Sequence, residues 1–478
     1  MTRATPPADF PPELAARLAR LAPRLTALRR DLHRHPEPGW CEFRTAALAV
    51  ARLLDLGFAV RMGADAAVAA RRMGVPPADV MAEARERALA AGADPALVAN
   101  MGEGLTGFWA DLDCGSGKAD QSRPQSRGDP GIEGDEESIR SGQGPVTAFR
   151  FDMDCNTLTE SAAPDHRPAA EGFASLYPGR MHACGHDGHV ALGLVLAEAL
   201  ADAARSRPDL WGGRIRLIFQ PAEEGARGAL PLTEAGAVDG VDRIIGLHVG
   251  FQAAEGEIIC GTQGFFATTK RDVTFTGRAA HAAAAPEEGR NALLAACSAT
   301  LALHAMPRHG GGPTRVCVGR LHGGEARNII PAHARLELET RGATADLEAA
   351  MSAEAERIVH AAAAMWGCSC AVETVGGSCA AASDPDLAGW IAEEAERMGR
   401  FRSIIPMRDF GATEDVAWMM RAVQEQGGDA SYLQLGAARP AGHHQPRFDF
   451  DENCLPLGLE LLMRIAWRSN GPGRGLGG

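Results

Sequence analysis

The sequence lacks the features of a membrane-spanning or exported protein. Its first residues, MTRATPPADFPPE, contain no basic stretch followed by an apolar one, and no apolar run approaches the length that crosses a membrane. Eleven cysteines are scattered over 478 residues and form no disulfide framework. We therefore expect reduced thiols, a cytoplasmic location and no membrane partner.

An excess of positive charge is also missing. The formal net charge of −13 argues against nucleic acid or an anionic membrane surface as the main partner. Hydrophobic residues make up 45% of the chain and charged residues 23%, as in an ordinary globular protein. Because 478 residues exceed what a single hydrophobic core usually supports, we expect two domains.

Buried strands that end in polar residues are the first positive feature. A predicted strand from Val146 to Phe151 runs into Asp152-Met-Asp154, one from Arg214 to Phe219 runs into QPAEEG, and one from Arg243 to Leu247 ends at His248. Strands separated by helices predict an α/β fold with a mixed sheet flanked by helices, whose ligands bind at the carboxyl ends of the strands. A helix from Leu14 to His33, broken at Pro23, precedes this region.

A different pattern begins near residue 270. The predicted elements alternate as strand, helix, strand, strand, helix and strand between Lys270 and Val375, which is the ferredoxin-like order. The sequence therefore predicts a catalytic domain in two parts, residues 1–268 and 381–478, with an inserted domain at 269–380. Residues 114–144 are rich in Gly, Ser, Pro, Gln and charge, which predicts a disordered insertion.

The stretch MHACGHDGH, residues 181–189, is the strongest chemical motif. It supplies a thiol at Cys184, imidazoles at His182, His186 and His189, and a carboxylate at Asp187. Glycines 185 and 188 allow a tight turn that lets several of these side chains converge. A metal site is the functional interpretation; a polar helix cap is the alternative.

Other polar residues are ambiguous when taken singly. Glu223 and Glu224 follow a strand on one loop, so one carboxylate can bind a cation while the other moves protons, or both are a solvated acidic turn. His248 at a strand end is more often satisfied by local hydrogen bonds than by a metal. Arg341 can pair with a substrate carboxylate or with a surface acid.

Together, and in this order, the motifs resemble a family. The sequences MHACGHDGH, QPAEEG, LHVG, GRAAHAAAAPEEGRNALLAA, NIIPA, ETRG and GHHQPRFDFDE are similar to those of the aminoacylase/carboxypeptidase family of dinuclear metallohydrolases. They resemble its amidohydrolase branch most, and within that branch the aminobenzoyl-glutamate hydrolases. The second likeness is also supported by three segments outside the catalytic motifs, RRDLHRHPEPGWCEFRTA, DHRPAAEGFAS and FFATTK. The likeness covers about residues 20 to 468 and implies a zinc-peptidase-like catalytic domain with an inserted lid or dimerisation domain.

The resemblance also implies roles for particular residues. The expected ligands of two divalent cations are Cys184, His186, Glu224, His248 and His444. His444 is preferred to His443 because its spacing to Phe448 matches the branch's His-x-x-x-Phe. Glu223 is the expected general base, and His281 the histidine that in many members stabilises the oxyanion across a dimer. Asn328 and Arg341 match positions that contact the amino-acid part of the substrate.

The metal and the reaction follow from the same likeness. Cys184-Gly-His186 stands where many relatives outside the branch have His-x-Asp and a bridging aspartate. The thiolate of Cys184 favours zinc, whereas the carboxylate and imidazole donors also accept manganese. The resemblance to the aminobenzoyl-glutamate enzymes points to manganese. The expected reaction is hydrolysis of an N-acyl amino acid, p-aminobenzoyl-glutamate foremost. The alternatives are a hippurate-like or other acyl substrate, or a catalytically silent metal-binding protein. A homodimer, or a heteromer with a related second chain, is expected.

Overall fold

The computed structural model describes residues 9–114 and 144–472. The helices are α1 (Pro12–Arg34), α2 (Phe43–Asp55), α3 (Ala78–Ala90), α4 (Pro95–Asn100), α5 (Arg167–Ala170), α6 (His186–Ser206), α7 (Ala229–Glu234), α8 (Ala292–His304), α9 (Ala345–Met365), α10 (Pro385–Met398), α11 (Ala417–Glu425) and α12 (Leu455–Asn470). The strands are β1 (Ala59–Met62), β2 (Phe108–Asp113), β3 (Val146–Asp152), β4 (Arg214–Gln220), β5 (Arg243–Val249), β6 (Glu257–Ile259), β7 (Thr262–Gln263), β8 (Ala267–Thr276), β9 (Thr314–Gly323), β10 (His333–Gly342), β11 (Ser369–Ser378), β12 (Ser403–Ile405), β13 (Arg408–Asp409) and β14 (Asp429–Leu435). Short 3-10 turns lie at Gly63–Asp65, Ala69–Arg71, Pro286–Glu288 and Glu452–Cys454.

A mixed sheet forms the centre of the larger part of the molecule. Its strand order is β1-β2-β4-β3-β5-β14-β6-β12. The inner strands β4, β3, β5 and β14 run parallel to one another, whereas β1, β2 and β6 pair antiparallel with their neighbours β2, β4 and β14. Since parallel strands end at the same edge, the segments after β3, β4, β5 and β14 lie next to one another.

Helices cover both faces of this sheet because its strands are apolar on both sides. In β3, Phe149 packs into the core formed with α1, α2, α6 and α12, while its neighbour Ala148 packs on the opposite face with α7 and α11. This alternation is the two-residue period of a strand. Helix α6 is buried along most of its length, as its run VALGLVLAEALA requires. The predicted α/β fold with a mixed sheet flanked by helices is confirmed.

A second sheet lies in the segment between residues 267 and 378. Its four strands pair antiparallel in the order β11-β8-β10-β9. One face carries Val273, Phe275, Leu336 and Leu338, which pack with residues of α8 and α9. Residues two apart on a strand share a face, so the alternate positions of the same strands form an open, polar face.

The first helix is continuous, contrary to the expected break at Pro23. Pro23 does not break the first helix, because α1 continues from Pro12 to Arg34 while Leu18, Leu25 and Leu32 stay buried against the core. A proline removes one hydrogen bond, which this packing outweighs.

The predicted disordered insertion at 114–144 falls, except for its two end residues, outside the described residues. In the described ranges, no helix is both long and apolar enough to cross a membrane.

Candidate metal centre

The entry into helix α6 brings the first donors together. Gly185, with φ of 96°, precedes the helix and turns the chain so that Cys184 lies before it and His186 in its first turn. Both side chains are buried. A backbone in this left-handed region strongly favours glycine, which explains why the motif carries one here.

The five predicted ligands lie together at the carboxyl edge of the sheet. Cys184 Sγ is 3.4 Å from Nε2 of His248, which lies near the end of strand β5. The donor atoms of Cys184, His186 and Glu224 lie within 4.8 Å of one another. Nε2 of His444, on the loop after β14, is 3.2 Å from Oε1 of Glu224. Four separate segments of the chain therefore contribute to one cluster.

The imidazoles are oriented as metal ligands usually are. Nδ1 of His186 bonds the carbonyl oxygen of Asp154 at 2.8 Å, and Nδ1 of His248 bonds that of Val249 at 2.9 Å. A hydrogen bond of this kind fixes the tautomer and leaves Nε2 as the electron-pair donor. Nε2 of His186 is buried and has no hydrogen-bond partner in the described chain. Thiolate, imidazole and carboxylate donors of this kind fit a divalent transition metal.

His443 is placed differently from its neighbour His444. Its Nδ1 lies 2.7 Å from Nη1 of Arg439, and its Nε2 lies 3.3 Å from the carbonyl oxygen of Val249. Although its donor atom is also close to Cys184 and His248, both ring nitrogens are engaged by the protein. His444 has a side chain that is 55% exposed and directs Nε2 at Glu224.

Glu223 and Glu224 point in different directions from one loop. Glu224 faces His444, whereas Glu223 Oε2 lies 3.8 Å from His186 Nε2 and belongs to a carboxylate cluster with Glu414 and Asp415. The loop has positive φ at Ala222 (49°), Gly225 (102°) and Ala226 (60°). Such a conformation persists only where the surroundings enforce it.

The two carboxyl groups also differ in acidity. Burial raises the pKa of Glu223 well above its usual value, and the negative charges of Glu414 and Glu224 raise it further. Burial also tends to raise the pKa of Glu224. Its hydrogen bond with His444 and the charge of His186 outweigh burial and lower the pKa of Glu224 to about 2. One carboxyl is thus suited to take up a proton and the other to stay ionised.

Several residues at the site were not assigned a role from the sequence. Asp152, His186 and His189 form a further group of possible ligands, with Asp152 Oδ1 bonded to Nδ1 of His189. The buried Arg150 bonds Asp152 at 2.6 Å and Glu414 at 3.0 Å. The sequence signal that could have indicated Asp152 was the Asp-Met-Asp at the end of strand β3, whereas nothing local marked Arg150 or Glu414.

The remaining predicted residues lie on the segment with the second sheet. His281 is exposed, and its Nδ1 accepts the backbone N–H of Ala283 and Ala284 at 3.2 and 3.0 Å. Asn328 is exposed, and its backbone carbonyl oxygen accepts the N–H of Ala282. Across the described residues, no hydrogen bond or ion pair joins the side chain of either to the donor cluster. Arg341 forms two hydrogen bonds, of 2.9 and 3.1 Å, with the carboxylate of Glu339.

An α/β fold with a thiol, imidazoles and paired carboxylates at its carboxyl edge defines a metal-dependent hydrolase. The chain belongs to peptidase family M20/M25/M40, whose model matches residues 148–468. The family resemblance and the prediction of a metallo-amidohydrolase are thereby confirmed.

Two bacterial relatives match nearly the whole chain. It is 42% identical to indole-3-acetyl-aspartic acid hydrolase of Enterobacter agglomerans, over 95% of this chain and 98% of the relative. It is 41% identical to one of the subunits of p-aminobenzoyl-glutamate hydrolase from Escherichia coli, over 93% of this chain and 96% of the relative. Both are hydrolases of acylated acidic amino acids by name.

Solved structures agree in fold. An aminobenzoyl-glutamate utilization protein from Klebsiella pneumoniae is 36% identical, with a TM-score of 0.77 over 95% of this chain and 98% of its own. A Bacillus subtilis protein, described as a dinuclear metal-binding peptidase of the M20 family, is 22% identical with a TM-score of 0.58 over 94% of this chain and 98% of its own, and shows the shared fold alone.

Proposed function

We propose that this chain hydrolyses the amide bond of p-aminobenzoyl-glutamate, giving p-aminobenzoate and glutamate. The observation that carries the proposal is the difference between two neighbouring carboxyl groups. Glu224 is paired with His444 among the candidate ligands, whereas Glu223 lies partly buried beside them with a raised pKa. The substrate is supported by the relative named for p-aminobenzoyl-glutamate, which matches 93% of the chain.

Two divalent cations, manganese or zinc, would be held by Cys184, His186, Glu224, His248 and His444. Support comes from the Nδ1 hydrogen bonds of His186 and His248, which leave Nε2 as the donor, and from the clustered donor atoms. When bound, such a metal lowers the pKa of its water to near 7 and polarises the substrate carbonyl. Asp152 is a further candidate ligand because it shares a cluster with His186.

Glu223 is the proposed proton carrier. Its carboxylate takes a proton from the attacking water and returns it to the nitrogen of the departing amine, which completes hydrolysis without a covalent intermediate. Burial and the neighbouring acids Glu414 and Asp415 raise the pKa of Glu223, which favours uptake of that proton. A raised pKa of this kind is typical of carboxyl groups that act as general acid–base catalysts.

The segment 269–380 is proposed to be an inserted ferredoxin-like domain that acts as a lid and a dimerisation unit, between catalytic parts 1–268 and 381–478. Its antiparallel sheet with helices on one face supports the proposal. His281 would stabilise the oxyanion in the site of a partner copy or of a related second chain, consistent with its exposed position. Asn328 would contact the amino-acid part of the substrate, as would Arg341 once released from Glu339.

A cytoplasmic location is also proposed. All eleven cysteines are free, and seven of them are buried, so no disulfide contributes to the fold. Proteins that keep so many reduced thiols are typical of a reducing compartment. Localisation of the tagged protein in cell fractions tests this proposal, and recovery outside the cytoplasm would overturn it.

The test of the function is a comparison of substrates. Purified protein is loaded with manganese or zinc, its metal content is measured, and release of p-aminobenzoate from p-aminobenzoyl-glutamate is followed beside cleavage of benzoyl-glycine. We expect the glutamate conjugate to be cleaved much faster. If the metal-loaded protein, by itself or with a related second chain, releases no p-aminobenzoate, the substrate assignment is wrong.

The other relative supports a second candidate substrate. Its name, indole-3-acetyl-aspartic acid hydrolase, places an aspartate conjugate beside the glutamate conjugate as a possible substrate of this chain. Including indole-3-acetyl-aspartate in the same assay separates the two candidates. A higher kcat/KM for the aspartate conjugate would favour this second function.

A further inference from the structure

We propose that Lys270 binds the side-chain carboxylate of the substrate's amino acid, and so selects conjugates of glutamate or aspartate over those of neutral amino acids. This inference rests on the proposed amidohydrolase function. It concerns a residue of strand β8 that lies outside the predicted site. Three observations support it: the face on which Lys270 lies, what that face touches, and the absence of a partner for its charge.

Strand register places Lys270 on the open face of the second sheet. Its neighbour Arg271 points to the opposite side, where Nη1 donates to the carbonyl oxygen of Ser352 in helix α9 at 2.8 Å. Lys270 pairs with Glu339 on one neighbouring strand and with Gly376 on the other. Paired residues on adjacent strands project to the same side of a sheet, so these three positions form one row across the open face.

That row touches the loop that carries Glu223 and Glu224. A Cβ added at Gly376 would lie 2.1 Å from the carbonyl oxygen of Gly225, the residue directly after Glu224. The N–H of Gly377 donates to the carbonyl oxygen of Ala226 at 2.8 Å. The open face beside Lys270 is therefore in contact with the edge of the candidate metal centre.

In the described chain Lys270 has no partner for its charge, whereas Arg335 and Arg341 on the same face are each paired with a carboxylate. In the described chain its ammonium group forms no hydrogen bond or ion pair, although the residue is partly buried. Arg341 is bonded to Glu339, and Arg335 lies against Asp272. Lys270 also lines a cavity of about 270 Å³ on this face, together with Glu339 and Val375. A partly buried, unpaired ammonium group beside the reacting centre is suited to a substrate anion.

The side-chain carboxylate is the anion that fits best. Every N-acyl amino acid carries an α-carboxylate, and Asn328 and Arg341 are already proposed contacts of the amino-acid part of the substrate. The two relatives that match almost the whole chain are both named for conjugates with a second carboxylate, on aspartate or glutamate. A second cation near the site is what such a substrate needs and a glycine conjugate does not.

The experiment compares two nearly isosteric substrates, p-aminobenzoyl-glutamate and p-aminobenzoyl-glutamine, with metal-loaded protein. In Lys270→Met we expect kcat/KM for the glutamate conjugate to fall about 10- to 100-fold, as the loss of a charge-assisted hydrogen bond predicts. The value for the glutamine conjugate should change less than about threefold. Lys270→Arg, which keeps the charge, should retain most of the preference for glutamate.

Arg335→Met is the matched control, because Arg335 lies on the same face but is already paired with Asp272. It should leave both substrates unaffected. An equal loss on both substrates in Lys270→Met would mean that Lys270 binds the α-carboxylate or supports the fold, and would overturn the inference. So would no loss on either.

A binding measurement separates failure of this inference from failure of the proposed function. Calorimetric binding of p-aminobenzoyl-glutamate to Glu223→Gln should weaken about 10-fold or more when Lys270→Met is added. If the wild type cleaves no conjugate but this difference in binding is found, the proposed function fails and the role of Lys270 stands. If the wild type cleaves the glutamate conjugate and the two variants bind it equally, only the role of Lys270 fails.

Discussion

The carboxylate of Glu42 accepts the backbone N–H of Ala222 at 2.8 Å, which links the N-terminal end of helix α2 to the loop of the candidate base. Asp154 accepts the N–H groups of Glu223 and Glu224, each at 3.0 Å. Asp415 accepts those of Gly228 and Ala229 at 3.0 and 2.9 Å. Three buried acids from distant parts of the chain therefore hold this loop in its unusual conformation.

We predict that Glu42→Ala lowers kcat about 10- to 100-fold while KM changes little, because a displaced loop misplaces Glu223. The Oε2 atom of Glu42 also accepts the hydroxyl of Thr106 at 2.6 Å, so Glu42→Gln, which keeps an acceptor for Ala222, should restore much of the rate. Steady-state kinetics at a temperature well below the unfolding transition measure this.

Glu37→Ala provides the control for Glu42. Glu37 is also buried and accepts two backbone N–H groups, those of Arg44 and Thr45, each at 2.8 Å, but its carboxylate has no bond to the loop. Both alanine variants should lose about 1–3 kcal/mol of stability. If Glu37→Ala lowers kcat as much as Glu42→Ala does, the effect is general destabilisation and not loop positioning.

Glu223→Gln should keep its metal and lose turnover. Removing a general base typically costs about 10²- to 10⁴-fold in rate, whereas the proposed ligands remain in place. Metal analysis and kinetics on the same preparation measure both effects. Substantial remaining activity would show that another group moves the proton, and an inactive wild type with full metal content would favour a catalytically silent metal-binding protein.

His443→Ala and His444→Ala should behave differently although they are adjacent. His444 faces Glu224 with its Nε2, so its removal should reduce the metal content from two ions per chain. His443 is bonded to Arg439 and to the carbonyl of Val249, so its removal should leave two ions bound. Metal analysis after gel filtration distinguishes them. The reverse result would make His443 the ligand.

Stability should depend on pH through His33. Burial lowers the pKa of this imidazole, but its hydrogen bonds to Asp187 and Glu160, at 2.8 and 3.0 Å, raise it above the usual value overall. A group whose pKa is raised in the folded state stabilises the protein fully below its unfolded pKa, near 6.5. This stabilisation is lost as the pH rises through the folded value.

The difference in Tm between the wild type and His33→Gln should therefore be largest below about pH 6 and shrink towards pH 9. Thermal unfolding over this range measures it. The replacement removes the titrating group but keeps a side chain that forms hydrogen bonds. A difference in Tm that stays constant with pH would show that His33 does not change its charge between the folded and unfolded states.

The sequence was sufficient for the family, the α/β class and the clustering of the main donors. Cys184 and His186 occur within three residues, and the strands that lead to Glu223 and His248 have a clear apolar pattern. Because parallel strands end at one edge, donors that follow them in the sequence must be close in space. The family and the set of donors therefore followed from the resemblance of the motifs, whereas the apolar pattern and one topological rule explain why the donors that follow β4 and those near the end of β5 meet.

Only the tertiary structure decided the remaining features. It showed that the nitrogens of His443 are both occupied, that Arg341 is paired with Glu339, and that Lys270 is unpaired within the described residues. It also brought Glu42 to the loop of Glu223 from about 180 residues away. These relationships depend on which side chains meet across separate elements, and a hydrogen bond of this kind leaves no periodic signal in either segment of the sequence.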